Sequence, residues 1–200
     1  MSSDDILGEV EEVETTIPRA LVIMAEGAEE AETVIIVDIL RRAGIETVLA
    51  GLNGDAPVPL SRKVRILPDA ALAQVTGSFD VVILPGGAEG ARRLAASELV
   101  GDRIKKQAGE GKLVAAICAA PLAFVSHQVF AGKSMACHPS VASRIAMYGK
   151  LVQAPVVEDG NLVTSQGPGT SFVFALTLVR KLMGDPRAAE VERGLVLIRG

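Results

Sequence analysis

An α/β sandwich built around a mostly parallel sheet is the fold that this sequence predicts, and three observations predict it. The apolar runs at 20–25 (ALVIMA) and 79–84 (FDVVIL) are nearly continuous, as strands covered on both faces are. Segments of helical period separate such runs, so the connections are crossovers between parallel strands. A third run, 113–117, ends at Cys118 and is followed by Ala119, Ala120 and Pro121. That is the pattern of an elbow in which a strand delivers a nucleophile into the turn before a helix. The sharp turn needs small residues two places to either side, where Ala116 and Ala120 stand.

The elements follow in order. After the strand at 20–25 and a break at Glu26-Gly27, the acids Glu29, Glu30 and Glu32 open a helix that complements their charge with its dipole. Gly44 suits the residue that ends it, and 47–51 forms the next strand, giving a right-handed β-α-β opening. The stretch 53–59 is turn-rich, and 62–68 alternates charged and apolar residues as an exposed hairpin or edge strand does. The strand at 79–84 stops at Pro85-Gly86-Gly87, and helices are expected over 90–96 and 97–109. A helix after Cys118 reaches about Ser126, a short strand spans 133–137, and 140–148 is helical. Asp159-Gly160 between apolar runs marks a hairpin. A strong helix follows at 170–183, with Phe172, Ala175, Leu176 and Val179 expected on one face, then a short helix at 186–193 and an apolar tail.

Composition narrows the function classes. The chain has 200 residues, enough for one α/β domain with a sizeable core, and no apolar run long enough to span a membrane. Two cysteines, Cys118 and Cys137, are too few for a disulfide framework, so a reducing, cytoplasmic compartment is expected. Of the net charge of −4, the acids Asp4, Asp5, Glu9, Glu11, Glu12 and Glu14 belong to residues 1–18, which contain no Lys or Arg. Residues 1–18 are therefore read as an acidic tail and 19–200 as a single domain whose scattered charges leave no nucleic-acid or membrane footprint. No metal-ligand spacing joins the two histidines and two cysteines.

In open parallel sheets, ligands bind beyond the C-terminal strand ends. Three such ends carry chemistry here: the acids after the first strand, Gly86-Gly87, and Cys118. A thiolate at Cys118, near a helix N-terminus, is expected to have a lowered pKa and to be nucleophilic. An isolated intracellular cysteine is more often a buried structural residue, and the elbow is what favours reactivity. One of Glu29, Glu30 and Glu32 could be buried, neutral and proton-sharing, and spacing does not choose between them. An amide of the Gly86-Gly87 pair, with that of Ala119, suits an oxyanion hole, although the pair suits an ordinary tight turn equally well. His138 stands where a base could reach a cysteine, but no acid follows it to complete a triad, and His127 reads as structural.

The segments Glu29-Glu-Ala-Glu-Thr-Val, Leu84-Pro-Gly-Gly, Ala115-Ala-Ile-Cys-Ala-Ala-Pro and Thr164-Ser-Gln-Gly-Pro-Gly-Thr-Ser-Phe resemble one family. It is the Parkinsonism-associated deglycase (DJ-one-like) branch of the ThiJ/PfpI superfamily, and the resemblance runs from residue 19 to about 198. It implies a flavodoxin-like three-layer sandwich, a homodimer, and no cofactor or metal. It implies Cys118 as nucleophile, Glu32 as its protonated partner, and Gly86, Gly87 and Ala119 around the oxyanion. His138 is implied as the site histidine, and Glu32 with Arg62 as stabilisers of an oxidised cysteine. The implied activity is that of a glyoxalase or deglycase acting on methylglyoxal, glyoxal and early glycation adducts. The implied alternative is a redox sensor or redox-regulated chaperone using the same cysteine, with nuclear or mitochondrial as well as cytoplasmic residence. Leu60 and Leu67 replace cysteines of the animal member, Ala120 replaces a glycine, with a narrower pocket expected, and Gln166 replaces an arginine. No histidine follows Cys118, which disfavours the peptidase branch.

Overall fold

The structure is a computed structural model that describes residues 16–197. The acidic segment expected at 1–18 lies outside the described residues except for 16–18, as does the end of the apolar tail. Strand β1 (Arg19–Met24) is followed by helix α1 (Glu30–Arg42) and strand β2 (Glu46–Gly51). Next come the short strands β3 (Val58–Pro59), β4 (Arg65–Ile66) and β5 (Ala70–Ala71), then β6 (Val81–Leu84). Helices α2 (Ala88–Ala96) and α3 (Glu98–Gly109) lead to β7 (Leu113–Ile117) and α4 (Leu122–His127). Strand β8 (Ser134–Met135), helix α5 (Ala142–Tyr148) and strands β9 (Lys150–Leu151), β10 (Val156–Asp159) and β11 (Leu162–Ser165) precede α6 (Ser171–Met183) and α7 (Asp185–Leu195).

Seven strands form the central sheet in the order β10-β11-β7-β6-β1-β2-β5, and only β10 runs antiparallel. Strand β1 lies between β2, reached through α1, and β6, reached after the sheet edge at β5. The winding therefore reverses direction at β1, where open α/β sheets bind ligands. Helices α1, α6 and α7 pack together on one face, and α2 to α5 on the other. The layering agrees with the expected flavodoxin-like sandwich. Strand β6 is buried throughout, and β1 and β7 are buried apart from their first residues, which explains their unbroken apolar runs.

Most expected elements stand close to their expected bounds. The end of the turn-rich 53–59 stretch pairs with the expected edge segment at 62–68 as a β3–β4 hairpin, and Asp159-Gly160 turns β10 into β11 with Gly160 at φ 66°. Three strands depart from the expectation: β3, β5 and β9 have two residues each and acquire their pairing only from β4, β2 and β8. The buried face of α6 also differs from the expectation. Ser171, Phe174, Ala175, Leu178 and Val179 face the core, whereas Phe172 is 36% exposed. The helix carries a second apolar stripe, and Phe172 and Leu176 turn toward α7 instead of the sheet.

Candidate active site

Backbone geometry first distinguishes Cys118. It has φ 64°, in the left-handed region that a side chain adopts at a cost, directly after β7. Its amide donates to Ser165 O at 3.0 Å and its carbonyl accepts from His138 N at 2.8 Å, so β11 and the segment after β8 hold the turn from two sides. Ala120 N closes the turn on Ile117 O at 3.0 Å. Phe124 of α4 is fully buried and meets Phe130 edge-on at 5.4 Å, anchoring the helix below the elbow. The expected elbow is present. Ala120 lies wholly in the core and does not line the groove beside Cys118.

Helix geometry separates the three acids that spacing left open, because successive residues turn by about 100°. Glu29 caps α1 by accepting from Glu32 N at 2.7 Å. Glu30 accepts from Ser61 Oγ at 2.6 Å and from the Arg62 amide, clasping the β3–β4 turn. Burial works to push Glu30 up, but the hydroxyl and amide donors outweigh it and hold the carboxyl below its usual range. Glu32 points inward and is wholly buried. Its Oε2 accepts from Gly86 N at 2.7 Å, and its Oε1 has no hydrogen-bond partner among the described residues.

Gly86 joins the parts. A Cβ there would stand 2.5 Å from Cys118 Cβ and 2.7 Å from Glu32 Oε2, so only glycine lets thiol and carboxyl approach. Gly87 has φ 87°, and a Cβ on it would strike Gly27 O at 2.4 Å and Glu29 N at 2.7 Å. The two glycines thus fit the loop after β6 against the loop after β1. The amides of Gly87 and Ala119 face the Cys118 sulfur and favour its thiolate form. These are the two groups expected of an oxyanion hole.

The protonation chemistry corrects one expectation. The Cys118 thiol is not lowered but pushed up to about 12, by burial first and then by the Glu32 carboxylate, against the two amides. Helix α4 begins four residues later, so its dipole does not dominate. Burial raises Glu32 to about 7, against the lowering effect of the Gly86 amide and the Cys118 thiol. Sulfur and carboxyl therefore compete for one negative charge, since two in one dry pocket repel. A proton on Glu32 Oε1 would satisfy that orphaned oxygen by donating to the thiolate.

This burial has a measurable cost. The unfolded glutamate ionises near its ordinary value of 4.5, whereas the folded one keeps its proton to about 7. Between those pH values the native state binds more protons, so stability falls as pH rises through the window. Glu32→Gln, which keeps an acceptor for Gly86 N, is expected to be more stable than wild type above pH 7, on the order of 3 kcal/mol. The gain should shrink toward pH 4.5 in thermal melts, and a pH-independent difference would contradict it.

His138 is half-buried, with its backbone on Cys118 O. Its Nδ1 accepts from Ser140 N at 3.2 Å and sits 2.8 Å from Ser140 Oγ, so the neutral ring carries its proton on Nε2. Ser140 is the orienting partner that the sequence did not reveal, because it is a serine and not an acid. Arg62 is exposed; its amide is on Glu30, and its guanidinium donates to Ser61 O at 3.4 Å. His127 is structural: its ring packs where a Cβ on Gly101 would fall, and its Nε2 lies 3.3 Å from Leu94 O. Cys137 is buried and free, and burial raises its thiol. Among the described residues no cluster of three or more His, Cys, Asp or Glu could hold a metal ion, and no helix is long and apolar enough to cross a membrane.

Comparison with known proteins finds relatives of the chain. A family model described as the DJ-1/PfpI family matches residues 18–181. Protein dj-1beta of Drosophila melanogaster is 49% identical over 180 residues, covering 89% of this chain and 96% of the relative. Its crystal structure superposes with a TM-score of 0.90 over 92% of this chain and 100% of that one, at 47% identity. Glutathione-independent glyoxalase DJR-1.2 of Caenorhabditis elegans is 36% identical over 183 residues, covering 90% of this chain and 97% of the relative. A structure of Toxoplasma gondii DJ-1 described as oxidized matches at TM-score 0.86 and 31% identity, covering 91% of this chain and 100% of that one.

Proposed function

The chain belongs to the DJ-1/PfpI family, and from that premise we propose that it is a glutathione-independent glyoxalase with cysteine-based chemistry, able also to deglycate early adducts. The observation that carries this reading is the Cys118 sulfur set beside Glu32 and faced by the Gly87 and Ala119 amides. A C. elegans relative bearing the glyoxalase name supports it.

Glu32 takes the thiol proton as the Cys118 sulfur attacks the aldehyde carbon of methylglyoxal. The C–S bond forms, and the carbonyl oxygen becomes a hemithioacetal oxygen held by the Gly87 and Ala119 amides. Removal of the proton from that carbon gives an enediol, and reprotonation at the neighbouring carbon gives a lactoyl thioester. Water then releases lactate and the thiol. The sum is methylglyoxal plus water to lactate, an internal redox exchange that requires no external oxidant. Glu32 and His138 serve as the proton carriers. An aminocarbinol adduct reacts at the same carbon, with water and loss of the amine. Wild-type protein should form lactate from methylglyoxal without glutathione, and its absence would overturn the reading.

A second reading is favoured by the orphaned Glu32 Oε1, which when protonated donates its O–H to an oxygen carried on sulfur. A relative solved in an oxidized state is in keeping with a redox role for Cys118, with Arg62 as a further stabiliser of the oxidised form. Mild peroxide should add two oxygens to the Cys118 peptide of wild type. With Glu32→Gln, intact mass should show less of the doubly oxidised product, and no difference would count against the sensor. The proposal includes a homodimer, for which the exposed Val34 of α1, Val64 of the hairpin and Phe172 of α6 offer apolar contacts. Sedimentation velocity reads that directly.

A further inference from the structure

A groove of about 620 Å³ opens beside the elbow, between α2, α4 and α5. It is continuous with the site at two residues. Ala119, whose amide faces the Cys118 sulfur, forms part of its wall, and so does Ser140, which holds His138 Nδ1. Methylglyoxal, with three carbons, has no group that could occupy it.

The chemistry of the groove is two-sided. Ala95 and Leu122 belong to an apolar floor, while Arg92 and Arg144 stand on it from α2 and α5. Arg92 is neutralised by a two-pronged pairing with Glu89, at 2.7 and 3.0 Å. Arg144 is exposed and, among the described residues, has no hydrogen bond or ion pair. An apolar trough that starts at Ala119 and carries one uncompensated guanidinium complements an apolar arm with an anionic end.

We propose that this groove is a subsite for the distal part of larger substrates. Its ligand class is an α-oxoaldehyde, or an adduct of one, whose carbonyl carbon carries an apolar arm bearing a carboxylate that Arg144 binds. The inference rests on the glyoxalase reading for the orientation of the substrate, but its test does not depend on turnover.

Mandelate and 4-carboxymandelate serve as unreactive product analogues, differing only in a carboxylate at the far end of the ring. Their affinities are measured by isothermal titration calorimetry on the wild-type chain and on Arg144→Gln. On wild type, 4-carboxymandelate should bind about five- to tenfold tighter than mandelate, as one partly exposed charge-assisted contact would give. On Arg144→Gln that advantage should vanish, with mandelate affinity and lactate formation from methylglyoxal unchanged. Equal affinities on wild type, or an advantage that survives Arg144→Gln, would overturn the subsite. If the advantage is present but methylglyoxal yields no lactate, the chemical reading fails and the subsite stands. If lactate forms and the advantage is absent, the reverse holds.

Discussion

Cys118→Ala is expected to lower kcat/KM for lactate formation from methylglyoxal by at least ~10³-fold, a loss of about 4 kcal/mol of transition-state stabilisation. The size follows from the role of sulfur. No hemithioacetal forms without it, and neither the Gly87 and Ala119 amides nor Glu32 can replace a bond to carbon. Cys118→Ser should be nearly as inactive, since a hydroxyl in a dry pocket is harder to ionise than a thiol already pushed up to about 12. Glu32→Gln should cost about 10²-fold, because it leaves the nucleophile in place but removes its proton acceptor. The fold should survive each change, which circular dichroism checks. Equal rates for wild type and Cys118→Ala would refute the mechanism.

Gly87→Ala is expected to damage stability most. Its Cβ would lie 2.4 Å from Gly27 O, 2.7 Å from Glu29 N and 2.8 Å from Ala28 C, all backbone atoms that cannot swing aside. The left-handed φ of 87° adds its own penalty. Together these should cost roughly 4 kcal/mol or more and lower Tm by roughly 10 °C. Because the Gly87 amide serves the sulfur, activity should fall with stability. Gly132→Ala is the control: Gly132 has φ 77°, but nothing lies within 4 Å of its added Cβ. It should lose only about 1 kcal/mol. Similar melting temperatures for the two variants would show that the contact after β1 is not what requires Gly87.

Much of the site was legible because it is local in the chain. A strand that runs into Cys118 between small residues, and a strand that ends on Gly86-Gly87, are signals carried by neighbouring residues. The partner acid was not, since Glu29, Glu30 and Glu32 are equivalent in composition and differ only in azimuth around α1. Resemblance favoured Glu32. The structure places its carboxyl on Gly86 N and leaves Glu29 to cap and Glu30 to clasp the hairpin. The misjudged face of α6 has the same origin. Phe172 and Leu176 are as periodic as Phe174 and Leu178, and only the neighbours decide which stripe meets the sheet.

By itself, then, the sequence determined the alternation of buried strands and helices, the elbow, and the glycines beside it, because each depends on local pattern or backbone permissiveness. Only the tertiary structure decided the proton chemistry. The expected lowering of the Cys118 thiol assumed a helix dipole acting alone. Packing instead buries the sulfur against a second acid with room for one negative charge, and desolvation outweighs the dipole at that distance. Burial is a sum over residues far apart in the chain, so no local pattern encodes it.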